Sequence, residues 1–213
     1  MISVLIPYLA YMPYKEQIKR TLSDLKRQTA DIEIIVSEQP IVEKHTKICK
    51  GKLQNIGFAT SKGDIIFYCD ADAIFKDETL LERMESKLRK DKLDVIYPLF
   101  WSTHNNMNKI ADGFPFMTRE VREEYGPENE NDIGISFTSF RILNWLYYNK
   151  KFHASDEFLF DVNLEPFIKN KKKRDIPTQI ACLSTAREVV NDLKGDGLWP
   201  GVKKNVSFAV DHQ

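Results

Sequence analysis

Two aspartates separated by one residue, Asp70 and Asp72, directly follow a short apolar run, Ile65–Tyr68. The run is β-branched and aromatic and comes after the turn signal Gly63-Asp64, so it predicts a buried strand. Alternate residues of an extended chain point to the same side, which places both carboxylates together where the strand ends. Carboxylates held side by side repel unless a cation lies between them. Their oxygens suit Mg²⁺ or Mn²⁺, and such an ion could bind a diphosphate.

The same Asp-X-Asp pattern is also typical of an ordinary turn. Aspartate is common at strand ends because its side chain accepts hydrogen bonds from nearby backbone amides. Asp64 is interpreted in this way, as a turn residue after Gly63. The metal interpretation of Asp70 and Asp72 therefore depends on the elements that surround them.

The length and composition fit one large globular domain, or a domain with a small appendage. The chain has 213 residues, 42% of them apolar, and its 31 basic residues balance 31 acidic ones. A balanced charge gives no indication of a nucleic-acid partner. Three cysteines without a spacing pattern indicate a reducing compartment, and neither a signal peptide nor a membrane span is visible. These features predict a cytoplasmic location.

Apolar runs and amphipathic periods alternate over the first hundred residues. Strands are predicted at residues 2–6, 32–36, 65–68 and 93–97, the first ended by Pro7 and the last by Pro98. Helices are predicted at residues 15–27, within 45–60 and at 78–90, and a further helix over 142–148. This alternation predicts a doubly wound, mostly parallel sheet flanked by helices, whose ligands bind beyond the carboxyl ends of the strands. The first three strands end in segments rich in polar or ring-bearing residues: Pro7-Tyr8, Ser37-Glu38-Gln39 and Asp70-Ala71-Asp72.

Three stretches of the first eighty residues resemble the GT-A glycosyltransferases, and among them family two of the nucleotide-sugar-dependent enzymes. The first runs from Ser3 to Tyr8 and resembles the opening strand of that family. The second covers residues 25–36, and the third, residues 55–72, leads into Asp-X-Asp. They occur in the order and at the spacing of the family, so the resemblance implies a single GT-A domain over 1–213. Residues 1–100 would bind the nucleotide sugar and residues 101–213 the acceptor.

The resemblance implies a metal-dependent, inverting glycosyltransferase that uses Mn²⁺ or Mg²⁺ and a nucleotide-diphosphate sugar. Asp72 would bind the metal, and Asp70 would face the ribose or the metal. His212 would complete the metal site, although a histidine so near the end of the sequence is also typical of a frayed terminus. The implied donor-binding residues are Pro7, Tyr8, Glu38, Asn55, Asp70, Ala71 and Asp72.

A general base must take the proton of the acceptor hydroxyl in such a reaction. The stretch from Ser155 to Phe160 resembles the acidic pair that supplies this base in the family, which makes Asp156 and Glu157 the candidates. The same stretch is expected to begin a helix, so Ser155 or Asp156 could instead be a helix cap.

Two departures keep a second interpretation open. Glu38 stands where the family usually has paired aspartates, and Gln54 stands where it often has arginine. A catalytically degenerate domain that binds nucleotide or glycan is therefore an alternative. A sugar-phosphate nucleotidyltransferase is rejected because no glycine-rich loop follows the first strand, and a dehalogenase-type phosphatase is disfavoured because the aspartates follow the third strand.

The acceptor is not readable from the sequence, and a glycan, a protein or a lipid are all open. A basic run bounded by Lys169 and Arg174 is most simply a solvated loop. It could also attract an acidic membrane surface, which would give peripheral membrane contact.

Overall fold

The structure is a computed structural model of the 213-residue chain. It describes residues 1–10, 12–40, 48–102, 107–110, 114–130 and 137–162, and these ranges are the described part of the chain. The predicted metal ligand His212 and the basic run between Lys169 and Arg174 lie outside it.

Eight strands and five helices occupy the described part. The strands are β1 Ile2–Leu9, β2 Ile32–Gln39, β3 Ile65–Tyr68, β4 Ala73–Ile74, β5 Val95–Ser102, β6 Met107–Ile110, β7 Phe116–Thr118 and β8 Phe152–Val162. The helices are α1 Met12–Leu25, α2 Lys50–Thr60, α3 Leu80–Lys90, α4 Arg119–Tyr125 and α5 Phe137–Asn149.

The strands form one sheet in the order β2-β1-β3-β7-β5-β8-β4, with β6 paired to β5. The long ladders are parallel: β2 with β1, β1 with β3, and β5 with β8. The short strand β7 joins the two parallel groups by antiparallel pairing with β3 and β5. The predicted α/β class is therefore confirmed, with β4, β6, β7 and α4 as short elements that the sequence pattern did not reveal.

The sheet has a packed core on each face, as a doubly wound fold requires. Alternate residues of β3 divide between the two cores: Ile65 and Phe67 pack with α1 and α3, while Ile66 and Tyr68 pack with α4 and α5. Helix α3 buries Leu80, Leu81, Met84 and Leu88, the four residues that its period predicted.

The predictions that Pro7 ends the first strand and that Pro98 ends the strand at 93–97 are both wrong; Pro98 lies inside β5, which runs to Ser102. Strand β1 continues to Leu9, and Pro7 and Tyr8 pair in register with Ser37 and Glu38 of β2. The carbonyl of Leu5 accepts a hydrogen bond from the amide of Cys69, so Leu5, and Pro7 two residues later, face the β3 side. Because the β1–β3 ladder ends at Leu5, the missing N–H of Pro7 forfeits no ladder bond.

The prediction of a helix beginning at Ser155 is also wrong, because this stretch belongs to β8. Strand β8 pairs with β5, but the register shifts, so that Pro98 is opposite Ser155 whereas Leu99 is opposite Leu159. The three residues between them form a bulge, and its Phe158 is fully buried in the core. Pairing with β5 and burial of Phe158 outweigh the local helix signal.

In the described part of the chain, no helix combines the length and the apolar character that crossing a bilayer would require.

The turn into β3 has no room for a side chain at Gly63. A Cβ there would lie 2.5 Å from Ser3 Oγ and 2.7 Å from Ser3 N. The amide of Gly63 instead donates to Ser3 Oγ at 2.7 Å and to Glu33 Oε1 at 3.0 Å. Asp64, the next residue, pairs with Arg89 at this amino end of β3, far from Asp70.

Substitution of Gly63 tests this close approach. We expect Gly63→Ala to lower the free energy of unfolding by about 2 kcal/mol, because the new Cβ overpacks the backbone of β1. Urea denaturation measures the change. The control Lys62→Ala alters an exposed neighbour and should shift the free energy by less than about 0.5 kcal/mol. A Gly63→Ala protein as stable as wild type would contradict the packing.

Candidate functional site

Asp70 and Asp72 leave the carboxyl end of β3, as the sequence predicts. Asp72 is 7% exposed, whereas Asp70 is only partly buried. Burial first, and then the negative charge of Asp70, raise the pKa of Asp72 to about 7. A buried carboxylate beside another carboxylate is a group whose charge the surroundings do not fully compensate. This corner of the molecule therefore favours a cation.

Lys50 is the first residue of α2 and reaches the same corner. Its ammonium Nζ lies 2.7 Å from Asp70 Oδ1, and the residue is only 4% exposed. The charge of Lys50 also lowers the pKa of Asp72, against the larger effect of burial. Lys50 is not among the residues predicted from the sequence, because the lysines at 47, 50 and 52 look alike until the helix directs one of them inward.

The donor groups at this corner fit a hard divalent ion. Asp70 and Asp72 offer carboxylate oxygens, the ligands that Mg²⁺ and Mn²⁺ prefer. The raised pKa of Asp72 fits a position where a cation would lower the cost of its charge. Within the described part of the chain, however, no group of three or more His, Cys, Asp and Glu side chains is gathered as a metal cluster. Further ligands would have to come from substrate, water or residues outside that part.

The carboxyl ends of β1 and β2 adjoin this corner. Tyr8 and Glu38 are register partners on the two strands, and Pro7 is the partner of the buried Ser37. Burial, and then the charge of Glu38, raise the pKa of the Tyr8 hydroxyl, which keeps it protonated. Four predicted donor-binding residues, Pro7, Tyr8, Glu38 and Asp70, therefore lie at one edge of the sheet.

Asn55 lies on α2, and both atoms of its amide are engaged inside the protein. Its Nδ2 donates to the Glu128 carbonyl and to Glu130 Oε1, each at 3.0 Å. Its Oδ1 accepts from the Glu128 amide at 2.8 Å and from the Arg122 guanidinium at 3.1 Å. Asn55 thus holds the segment 128–130 against α2, and its contact with a donor stays a prediction.

Behind α2 lies a buried polar cluster of Tyr68, Arg122, Tyr125 and Glu128. Arg122 is 2% exposed, donates to the hydroxyl of Tyr68, and lies 4.6 Å from the centre of the Phe58 ring. The hydroxyls of Tyr68 and Tyr125 lie 3.3 and 3.1 Å from the carboxylate of Glu128. Burial raises the pKa of Glu128 to about 7, although Arg122 acts in the opposite direction.

The segment after this cluster passes the start of α2. A Cβ at Gly51 would lie 2.6 Å from the Asn129 carbonyl oxygen, and Cys49 Sγ lies 3.0 Å from the Glu130 carbonyl oxygen. These contacts place the exposed Glu130 beside the residues that flank Lys50. Glu130 is not among the residues predicted from the sequence, although the alternating acids Glu128, Glu130 and Asp132 were a signal that could have singled it out.

The predicted catalytic pair, Asp156 and Glu157, lies in the bulge of β8. The end of the same strand pairs with β4, where Ala73 is opposite Val162 and Ile74 opposite Asp161. Because β4 begins directly after Asp72, this pairing ties the acid-bearing strand to the predicted metal corner. Glu157 is exposed, and its carbonyl accepts a hydrogen bond from Arg83.

The raised pKa of Glu128 predicts how stability depends on pH. In the folded protein Glu128 keeps its proton up to pH about 7, whereas the unfolded chain loses it near 4.5. Stability from this group is therefore lost as the pH rises through that window. We expect the difference in unfolding free energy between wild type and Glu128→Gln to change by up to about 3 kcal/mol between pH 4 and 8.

Urea denaturation of both proteins at several pH values measures this difference. Because Asp72 titrates in both proteins, its contribution cancels in the subtraction. A difference that is flat across the pH range would show that Glu128 has the same pKa in the folded and the unfolded protein, and would contradict the prediction.

Comparison with known proteins identifies the family. The sequence profile described as glycosyl transferase family 2 matches residues 41–162, more than half of the chain. No curated protein matches the chain closely enough to count as a relative.

Several solved structures are similar in fold. TarS of S. aureus (residues 1–349) aligns with 91% of this chain and 72% of its own, at 11% identity and a TM-score of 0.61. The mannosyltransferase PcManGT of Pyrobaculum calidifontis, in complex with GDP-Man and Mn²⁺, aligns with 91% and 75% of the two chains, at 12% identity and 0.55.

A mutant of the Drosophila β-1,4-galactosyltransferase 7, in complex with manganese, UDP-Gal and xylobiose, aligns with 84% of this chain and 78% of its own. The identity is 15% and the TM-score 0.59. The fold of these structures is the one that the resemblance implied. The chain belongs to glycosyl transferase family 2, and it is a glycosyltransferase with the GT-A fold.

Proposed function

We propose that this glycosyltransferase uses a divalent cation, Mn²⁺ or Mg²⁺, to bind the diphosphate of its sugar donor, and that Asp72 and Asp70 hold that cation. The observation that supports this most directly is the buried Asp72, whose pKa is raised by burial and by Asp70 at the carboxyl end of β3. Two of the similar structures contain manganese together with a nucleotide sugar, which agrees with the proposal. His212 is retained as a further ligand from outside the described part of the chain.

The chemistry explains why positive charge is needed at this corner. Breaking the bond between the sugar and the diphosphate leaves negative charge on a phosphate oxygen, and a bound divalent ion stabilises that charge as a Lewis acid. Lys50 adds a fixed ammonium group to the same corner. In the structure it neutralises Asp70, and a donor diphosphate would offer it a second anionic partner.

The nucleoside would lie over the carboxyl ends of β1 and β2. The carboxylate of Glu38 can accept hydrogen bonds from ribose hydroxyls, and Tyr8 beside it can donate one, because its raised pKa keeps the phenol protonated. Pro7 and Ala71 would line this site with backbone and apolar surface. Asn55 would contribute to donor binding indirectly, by holding residues 128–130 against α2.

An inverting transfer needs a base on the acceptor side of the sugar. The resemblance implies Asp156 or Glu157, and the pairing of β8 with β4 ties their strand to the metal corner. Glu130 is a second candidate, supported by its exposure and by its position against the start of α2 next to Lys50. We favour Glu130 over Glu157, because Glu157 lies beside Arg83 and Lys87 on the α3 side of the sheet, and Asp156 stays a candidate.

The acceptor is proposed to be a hydroxyl of a glycan, a protein or a lipid, bound mainly by residues after 100. The basic run between Lys169 and Arg174 would draw the enzyme to an acidic membrane surface if the acceptor is lipid-linked. We propose no nucleic-acid partner, in line with the balanced charge of the chain.

Asp72→Ala tests the metal site. In wild type, UDP or GDP together with Mn²⁺ should raise the melting temperature more than the separate effects added together, because each ligand completes the site of the other. In Asp72→Ala we expect this synergy to disappear while the fold is retained, as judged by circular dichroism.

The matched control is Asp31→Asn, which removes an exposed carboxylate at the amino end of β2, the opposite edge of the sheet. It should keep the full synergy. Synergy that persists in Asp72→Ala, or that is absent from wild type with both nucleotides, would contradict the proposed metal site.

Three single variants test the base: Glu130→Gln, Asp156→Asn and Glu157→Gln. We expect Glu130→Gln to lower kcat by about 10²-fold or more without weakening nucleotide binding, because a lost general base affects only the chemical step. Single-turnover kinetics of sugar transfer measure the rate of the chemical step, and hydrolysis of the donor is the second readout. If Glu130→Gln keeps the full transfer rate while Asp156→Asn or Glu157→Gln loses it, the general base lies in β8 and the assignment to Glu130 is wrong.

A further inference from the structure

The loop that carries Asp72 is held from behind by three buried polar side chains. Thr21 and Asp24 belong to α1, and Gln28 follows its end; they are 0%, 6% and 9% exposed. Their spacing of three and four residues continues one face of the helix into the turn that follows it. This face lies against residues 71–81, which begin between the two aspartates of the site.

The Thr21 hydroxyl contacts the backbone on both sides of Asp72. Its hydroxyl oxygen lies 2.8 Å from the carbonyl oxygen of Ala71 and 2.8 Å from that of Ala73. A hydroxyl has one proton, so these two carbonyls share it with each other and with the Gln17 carbonyl, which lies farther away at 3.2 Å. Carbonyl groups on both sides of Asp72 therefore point at the same buried atom, which fixes the direction in which the backbone presents the Asp72 side chain.

The other two side chains continue the attachment along the loop. Asp24 Oδ2 accepts from the amide of Phe75 at 3.1 Å, and Arg27 holds the other oxygen of Asp24 at 2.9 Å. Gln28 Nε2 donates to the carbonyl of Asp77 at 2.8 Å, and its Oε1 accepts from the amide of Leu81 at 3.1 Å. The backbone from 71 to 81 is thus bound to α1 and the turn after it at successive points.

Electrostatics explains why the loop needs this attachment. Asp72 is buried and stands two residues from Asp70, so desolvation and like-charge repulsion both disfavour its carboxylate where it stands. Moving the loop outward into water would relieve both costs. The β4–β8 pairing fixes the chain just after Asp72, and the Thr21 hydroxyl adds a contact to the carbonyls on both sides of Asp72.

We propose that Thr21 is a positioning residue for the cation- and diphosphate-binding loop, and that its hydroxyl holds Asp72 in the orientation that binds a divalent ion. This inference rests on the proposed function of Asp72. Thr21 touches neither donor nor metal. It acts through the Ala71 and Ala73 carbonyls, and Asp24 and Gln28 support it farther along the loop.

The test compares Thr21→Val, which removes the hydroxyl at nearly constant volume, with Thr21→Ser, which keeps it. The matched control is Thr60→Val, because the Thr60 hydroxyl also contacts backbone carbonyls, those of Ile56 and Gly57, at the exposed end of α2. Two quantities are measured on each folded protein: Mn²⁺ binding in the presence of UDP or GDP, followed by electron paramagnetic resonance, and hydrogen exchange of residues 70–77 without metal.

We expect Thr21→Val to bind Mn²⁺ about tenfold more weakly at unchanged stoichiometry, the effect of losing one buried hydrogen bond. Exchange over 70–77 should be faster, and the KM for the donor should rise more than kcat falls. Thr21→Ser should restore all three, and Thr60→Val should match wild type.

Wild-type Mn²⁺ affinity and wild-type exchange in Thr21→Val would overturn the inference and leave the proposed function intact. A Thr21→Val protein that is only less stable, with Mn²⁺ affinity unchanged, would reduce Thr21 to a structural residue and also overturn it. If wild type itself binds no Mn²⁺ with either nucleotide, the proposed function fails, and the inference fails with it.

Discussion

Asp70 and Asp72 leave β3 so close together that the charge of one raises the pKa of the other, and Asp72 is buried besides. An arrangement of this kind costs stability unless positive charge is supplied. The start of α2 supplies part of it, since Lys50 lies against Asp70. Much of the surrounding structure can be understood as the means of keeping these three side chains in place.

Helix α2 and the segment after α4 form one support. Gly51 lets the backbone near Asn129 approach the helix, and Asn55 binds both ends of residues 128–130. The buried Arg122 stabilises this support, because it donates to the hydroxyl of Tyr68 and packs against the ring of Phe58. Helix α1 forms the other support, through its contacts with the loop after Asp72. The carboxylate corner is thus held between two helices that pack on opposite faces of the sheet.

Sequence periodicity was sufficient for the parts of the fold whose pattern is local. Alternation of apolar residues predicted the buried strand Ile65–Tyr68, and helical periodicity predicted the buried face from Leu80 to Leu88. The order of the strands predicted the edge where Tyr8, Glu38 and Asp70 lie. The short strands β4, β6 and β7 did not, because two to four residues carry no period. Strand β8 was misjudged because its conformation is imposed by β5, a partner more than fifty residues away. Lys50, Thr21 and Arg122 were missed for a related reason: a polar residue on a helix is ordinarily solvated, and only the packed structure shows which are directed inward.

The central claim is that a divalent ion completes the charge balance at the exit of β3. The most direct measurement is a crystal of the protein grown with Mn²⁺ and UDP or GDP, with data collected at the manganese absorption edge. We predict an anomalous peak within coordination distance of a carboxylate oxygen of Asp72, with the diphosphate on its far side. A nucleotide bound at this edge of the sheet without such a peak, or a peak elsewhere with Asp70 and Asp72 facing bulk water, would contradict the account.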